Sequence, residues 1–144
     1  MRVMVIVKSN AEIESGRMPS EAELSAMGAF NEELAKAGVM LGGEGLLDSS
    51  HGKRISYETS EPDEEPAVVD GPFTESKELI AGFWILEVDS VDEAVERMRA
   101  NPNNADTNLE IRRIAEAEDF GEEFTPELQE REAAIREQVE GRDA

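Results

Sequence analysis

Hydrophobic residues fall into short runs that are spaced along the chain like the strands of a mixed α/β domain. Residues 3–7 and residues 82–88 are almost continuously apolar, which is typical of strands buried on both faces. Residues 39–41 begin another apolar run that continues into a glycine-rich segment. Leu109 and Ile111 alternate with charged neighbours and predict a closing strand.

Two segments between these runs carry helix-start signals. Ser20 and Glu23 have the spacing of a capping box, and apolar residues then recur at helical spacing until Gly38, which is placed to end the helix. Ser90 and Glu93 repeat the capping-box spacing ahead of a second, shorter apolar stripe. The sequence therefore predicts one long and one short helix, each between two strands.

A β-hairpin is predicted between the two halves of this pattern. Residues 54–58 alternate with period two, residues 67–69 can return beside them, and the acidic, proline-containing residues 60–66 make a solvated tip. Residues 9–19 are predicted to form a polar loop. Without the hairpin the order is βαββαβ, the ferredoxin-like pattern. Helices on one sheet face leave the other apolar, so we expect an α+β homodimer in which two sheets pair as a dimeric α+β barrel.

The end of the chain is predicted to be a separate element. We expect residues 1–118 to form one domain and residues 119–144 a C-terminal helical extension. Thr125 is a predicted N-cap, and Pro126 occupies the first helical position. The apolar stripe that follows is thin, so this helix should be stable only when it docks on the core or on a partner subunit.

Charge and composition narrow the classes of partner. The chain has 14 basic and 34 acidic residues, a net charge of −20, and no cysteine. Such a chain repels phosphate backbones and anionic lipids, so we expect no nucleic-acid binding and no membrane docking. The absence of cysteine excludes disulfides and thiolate zinc sites. With no long apolar run and no signal-like start, a cytoplasmic location is expected.

The most informative motif is the run Asp-Gly-Pro-Phe-Thr-Glu-Ser-Lys-Glu at residues 70–78. Gly71 accepts backbone angles that other residues avoid and Pro72 fixes φ, so the turn presents the Asp70 carboxylate rigidly. Together with residues 43–46 and residues 82–84, this motif closely resembles the DGPF branch of the YCII-related family. The resemblance covers about the first 120 residues.

The resemblance carries expectations about fold, partners and catalysis. It implies the dimeric α+β barrel, and a sigma factor of the extracytoplasmic type as a protein partner, since genes of this branch often lie beside such factors. Shorter YCII-type relatives pair a histidine on the first helix with an aspartate. Here the corresponding helix, residues 20–37, has no histidine, so that pair cannot be transferred and acid–base chemistry falls to carboxylates.

Two carboxylates are the candidate catalytic residues. Asp70, on its stiff turn beside Phe73, could act as a general base or acid; as a structural turn residue it would instead accept local backbone amides. Glu44 lies between glycines, where the backbone can approach a ligand closely. It is either an assisting acid or an exposed turn residue.

Aromatic and charged neighbours are the candidates for substrate binding. Phe73 and Trp84 could form pocket walls, although aromatic residues in strands more often belong to the core. Glu75 and Lys77 share parity on a segment predicted to be extended, so they could bind a polar substrate or pair with each other. His51, in a polar loop, is not expected to be catalytic. We predict no metal site and no cofactor.

Three functions fit these observations. The first is a small-molecule enzyme with lyase- or isomerase-like acid–base chemistry in a barrel cleft. The second is a non-catalytic ligand-binding or regulatory module associated with a sigma factor. The third is an accessory dimer that assembles through its tail helix. A requirement for Asp70 in a pH-dependent activity would select the first, which we take as the leading interpretation.

Overall fold

The computed structural model describes residues 1–58, 61–102 and 107–143, which belong to two compact units, Met1–Arg113 and Ile114–Ala144. The strands of the first unit are β1 (Arg2–Lys8), β2 (Met40–Gly45), β3 (Lys53–Ser56), β4 (Ala67–Asp70), β5 (Ile80–Glu87) and β6 (Leu109–Arg113). Its helices are α1 (Ala11–Glu14), α2 (Glu21–Lys36) and α3 (Val91–Met98). The second unit contains α4 (Pro126–Glu140).

Four strands form one antiparallel sheet in the order β2-β5-β1-β6, and β3 and β4 form a separate two-stranded hairpin. Val5 in β1 lies opposite Trp84 in β5 and Ile111 in β6. Apart from the hairpin and the one-turn helix α1, the element order is the predicted βαββαβ. The α+β class predicted from the apolar runs is therefore confirmed.

One face of this sheet supplies the core. Alternate residues of β1 and β5 on that face are buried and pack with side chains of α2 and α3: Val3, Val5, Trp84, Leu86, Leu34, Ala94 and Met98. The intervening residues are only half-buried: Met4, Ile6, Phe83 and Ile85. The prediction that these strands are buried on both faces is therefore wrong within one chain, because both helices cover the same face of an antiparallel sheet.

The long helix α2 begins and ends where the sequence predicts. The Ser20 hydroxyl accepts a hydrogen bond from the Glu23 amide at 3.1 Å, and Gly38 has the positive φ of 72° expected just beyond a helix end. The second half of the predicted capping box is not formed, because the Glu23 carboxylate binds Arg17 instead. Arg17, from the segment predicted to be a loop (residues 9–19), thus binds the first turn of α2.

Two shorter helices are also set by side-chain caps. Helix α1 falls inside the predicted loop, because the Asn10 side chain accepts the Ile13 amide at 2.8 Å and starts a single turn. At α3 the Ser90 hydroxyl accepts the Glu93 amide at 3.1 Å, as predicted. The Glu93 carboxylate accepts from the amide of Asp89 at 2.6 Å, one residue earlier than a standard capping box requires.

The hairpin forms with the predicted partners and slightly different ends. Arg54 lies opposite Val69, and Ile55 lies opposite Val68. Of the predicted tip, Ser60 lies outside the described residues, as do residues 103 and 104 of the predicted break after α3.

The second unit contains the predicted terminal helix. Thr125 caps α4 by accepting the Leu128 amide at 3.3 Å, and Pro126 is its first residue. Whether α4 requires a docking surface stays a prediction. Along the described part of the chain, no helix is both long enough and apolar enough to cross a bilayer.

Candidate functional site

A cavity of about 550 Å³ lies between the sheet and α2. Its volume is within the usual range for small-molecule sites. The sheet side is lined by Met40, Gly43 and Trp84, and the helix side by residues spaced one turn apart, Met27 and Asn31. Further apolar lining comes from Met18 and Leu24 and, after β2, from Leu46 and Leu47. We refer to this space as the α2 cavity.

Trp84 forms a fixed wall of the α2 cavity. Its side chain is only 6% exposed, and its ring meets Phe30 of α2 edge-on, with centroids 5.9 Å apart and an interplanar angle of 80°. The indole N–H donates to Oδ1 of Asn31 at 2.9 Å. Trp84, a predicted pocket wall, thus lines the cavity, and its binding role stays a prediction, whereas Asn31 was not predicted as a site residue.

Most charged groups that line the α2 cavity are already engaged. Arg17 donates to Glu23 through both terminal nitrogens, and its Nε lies 3.1 Å from a Glu12 carboxylate oxygen. The hydrogen bond from Arg17 lowers the pKa of Glu23, and the hydroxyl of Ser50 lowers the pKa of Asp48. Glu23 and Asp48 are therefore ionised at neutral pH and are poor proton donors.

Glu44 borders the α2 cavity from the edge strand β2. It lies opposite Phe83 in register, so its side chain projects from the opposite sheet face to Trp84. Among the described residues its carboxylate forms no ion pair or hydrogen bond. Of the two predicted catalytic residues, Glu44 is thus the one placed beside the cavity.

Asp70 lies elsewhere, at the end of β4. Antiparallel pairing puts it opposite Lys53, and the two side chains form an ion pair in which the aspartate side chain is 74% exposed. Asp70 is not among the residues that line the α2 cavity, and within the described residues it accepts no backbone amide. The structure therefore does not bring Asp70 and Glu44 together, and the catalytic role of Asp70 stays a prediction.

The rest of the Asp-Gly-Pro-Phe turn packs against the short helical turn Ser49–His51. Gly71 donates its amide to the Gly52 carbonyl at 2.9 Å, and a Cβ on Gly71 would lie 1.7 Å from the Ser49 carbonyl oxygen. Phe73 is 6% exposed, and its amide donates to the Ser49 hydroxyl at 2.9 Å. The Glu14 carboxylate in turn accepts from the Ser49 amide and hydroxyl. Phe73 is therefore an anchor of this turn and does not line the α2 cavity.

The segment after Phe73 is a turn, not the predicted extended stretch. The Ser76 amide donates to the Phe73 carbonyl at 3.0 Å. Because the segment turns here, Glu75 and Lys77 do not project to the same side, as they would on an extended strand. Glu75 lies 3.8 Å from Arg54, while Lys77 borders a second cavity of about 540 Å³. Glu75 and Lys77 therefore do not pair with each other, and neither lines the α2 cavity.

His51 and Tyr57 lie outside the α2 cavity. The His51 side chain is 60% exposed and its Nε2 is 3.8 Å from the Asp48 carboxylate. Tyr57 is 69% exposed. Within the part of the chain that the structure describes, no group of three or more acidic or histidine side chains is arranged to hold a metal ion.

The exposed position of Asp70 leads to a prediction about stability. Asp70→Asn should lower the free energy of unfolding by no more than about 0.5 kcal/mol, because exposed ion pairs contribute little. Urea unfolding of this variant, of Lys53→Gln and of the double variant isolates the pair. A loss of about 2 kcal/mol or more from Asp70→Asn alone would contradict this result, since a loss of that size requires a buried interaction.

Comparison with known proteins places this architecture in a family. The model of the YCII-related domain matches residues 1–118, a range that contains the sheet, the hairpin and the α2 cavity. An uncharacterised protein of Rhizobium meliloti (strain 1021) is 40% identical over 53 residues, which are 35% of this chain and 43% of the relative. The chain thus spans less than half the length of that curated relative. Because the family model covers most of the sequence, the chain belongs to the YCII-related family.

Proposed function

We propose that this YCII-related protein binds a small, mostly apolar molecule in the α2 cavity. The observation that carries the proposal is the wall formed by Trp84 and Asn31, which is held rigid by packing and by a hydrogen bond. A concave site lined mainly by apolar surface, with polar groups that fix the orientation of the ligand, is the usual form of a small-molecule site. The volume of about 550 Å³ suits a ligand of that size.

Acid–base chemistry on this molecule, in the manner of a lyase or isomerase, would require the Glu44 carboxylate to reach around the edge strand β2, because its side chain projects from the sheet face opposite Trp84. Glu12 and Glu23 are bound to Arg17, and Asp48 accepts from Ser50. Asp70 is left out of this proposal because its exposed carboxylate is paired with Lys53 away from the cavity. The alternative role, regulation beside a sigma factor, has no specific support among the described contacts.

A fragment titration tests the binding proposal. We expect small neutral aromatic molecules to shift the amide resonances of Gly43 and Leu46 and the indole resonance of Trp84, since all three residues line the α2 cavity. Glu44→Gln should leave these shifts unchanged but abolish any turnover, because it removes the titrating group alone. Shifts confined to residues around Thr74 and Lys77 would place binding in the second cavity and contradict the proposal.

We also propose that two chains associate through the sheet face opposite α2 and α3. Met4, Ile6, Phe83 and Ile85 lie on that face and are only half-buried, and contiguous apolar surface of this kind marks interaction sites. Association there would produce the dimeric α+β barrel.

Light scattering at micromolar concentration is expected to give twice the 15.9 kDa mass of one chain. Ile85→Lys should shift the protein to monomer, because a charge on that face would be buried in the interface without a partner. Ile55→Lys, on the exposed hairpin, is the matched control and should stay dimeric. A wild-type monomer would contradict the association.

A further inference from the structure

The hydrogen bond from Trp84 determines which way the side-chain amide of Asn31 faces. An indole N–H can only donate a hydrogen bond, so the Asn31 atom 2.9 Å from Trp84 Nε1 must be the amide oxygen. Trp84 cannot turn away, because it is buried and packed edge-on against Phe30. The N–H₂ group of Asn31 is therefore the part of the amide available to a molecule in the α2 cavity.

The N–H₂ group is the donor that the bond to Trp84 leaves unused. Among the residues that the structure describes, the Asn31 N–H₂ group donates to no other atom, although Asn31 is half-buried. An aspartate would accept the indole bond equally well, so the bond to Trp84 explains the amide oxygen and leaves the N–H₂ group unexplained. The N–H₂ group is not among the buried unpaired atoms, so it stays accessible from the cavity and is free to donate to an acceptor on a bound molecule.

The charges around Asn31 restrict which acceptor fits. Three acidic residues line the α2 cavity, Glu12, Glu23 and Asp48, and Glu44 borders it from the edge strand β2. The cation Arg17 is held by two of them, and the whole chain carries a net charge of −20. An anionic ligand would be repelled, and an ammonium group could not accept the hydrogen bond that Asn31 offers.

We infer that Asn31 recognises a carbonyl oxygen, and that the α2 cavity takes neutral carbonyl compounds with an apolar body, such as ketones, esters or lactones. This inference rests on the proposed binding function and names its ligand class. The apolar body would contact Met27, Met40 and Leu46, which line the cavity with Trp84. Trp84 acts as a positioning residue, since it holds the amide in the donating orientation.

Three probes of similar size test the inference: acetophenone, ethylbenzene and benzoate. Ethylbenzene is the counterpart of acetophenone without the carbonyl oxygen, and benzoate is an anion. The chain contains a single tryptophan, so one indole N–H cross-peak reports the α2 cavity directly. We expect acetophenone to bind about fivefold more tightly than ethylbenzene, the effect of one ordinary hydrogen bond. Benzoate should bind more weakly than either.

Variants of Asn31 distinguish the loss of the N–H₂ donor from a loss of folded structure. Asn31→Asp still accepts the indole bond but cannot donate, so the preference for acetophenone should fall to about one while the indole cross-peak persists. Asn31→Ala removes the donor without adding charge and should abolish the preference in the same way. Asn108→Asp makes the same chemical change at an exposed residue outside the cavity and should keep the fivefold preference.

The outcomes distinguish this inference from the function beneath it. Equal affinity of the wild-type protein for acetophenone and ethylbenzene would overturn the role of Asn31 and leave small-molecule binding in place. Tightest binding of benzoate would overturn the neutral ligand class. An indole cross-peak that none of the three probes moves would overturn both the inference and the proposed function.

Discussion

Gly71→Ala should destabilise the protein by about 3 kcal/mol or more, a large effect for the addition of one methyl group. The reason is the approach of two backbone segments, since the added Cβ would lie 1.7 Å from the carbonyl oxygen of Ser49. Relief requires the turn to move away, which would break the bonds from the amides of Gly71 and Phe73 to Gly52 and Ser49.

Gly42→Ala is the matched control. Gly42 lies in β2, and no described residue comes within 4 Å of a Cβ placed there, so the stability of this variant should stay within about 0.5 kcal/mol of wild type. The variants are compared by urea unfolding, followed by far-UV circular dichroism. All measurements use one protein concentration, because association shifts apparent stability. An average substitution costs about 1 kcal/mol. If the free energy of unfolding of Gly71→Ala lies within that amount of the wild-type value, the turn does not pack on Ser49 as described.

The Asp-Gly-Pro-Phe motif thus divides into structural and exposed parts. Gly71 and Phe73 anchor the turn on Ser49, and Glu14 holds Ser49 from the other side. Asp70 points outward to Lys53. Local sequence predicted that the turn would be rigid, but not what the turn packs against, because Ser49 is more than twenty residues away along the chain. In this protein the motif therefore contributes mainly to packing, through Gly71 and Phe73, and less through the Asp70 carboxylate.

Elements set by local signals could be predicted, and those set by distant contacts could not. The ends of α2 and α4 follow from Ser20, Gly38 and Thr125, whose side chains or backbone angles act within a few residues. Continuous apolar runs do not reveal which face the helices cover, so the one-sided burial of β1 and β5 was missed. The sequence pattern distinguishes strand from helix better than it distinguishes one face of a sheet from the other.

The candidate site shows the same division. Trp84 was predicted as a wall from its residue type, whereas Asn31 looks like one more position on the helix face. Its role depends on a hydrogen bond between residues 53 positions apart in sequence. The signal that could have found it is a polar residue one turn after Met27, on the stripe that faces the sheet.

The second large effect concerns Trp84 itself. Trp84→Ala is expected to lower the free energy of unfolding by about 3 to 5 kcal/mol, because it empties a large buried volume between β5 and α2. Trp84→Phe keeps an aromatic ring against Phe30 but leaves the Asn31 oxygen without its donor, so a smaller loss of about 1 to 2 kcal/mol is expected. Tyr57→Ala, at an aromatic residue that is 69% exposed, should change stability by no more than about 0.5 kcal/mol.

A double-mutant cycle then isolates the hydrogen bond from the packing. Asn31→Leu in the wild-type background orphans the indole N–H, whereas in the Trp84→Phe background it removes an amide that has already lost its partner. The second substitution should therefore cost less than the first by about 1 kcal/mol. Unfolding is followed by circular dichroism, since Trp84→Phe removes the tryptophan fluorescence. Strictly additive losses would mean that Trp84 and Asn31 are not coupled, and that the wall of the α2 cavity is held by packing against Phe30 alone.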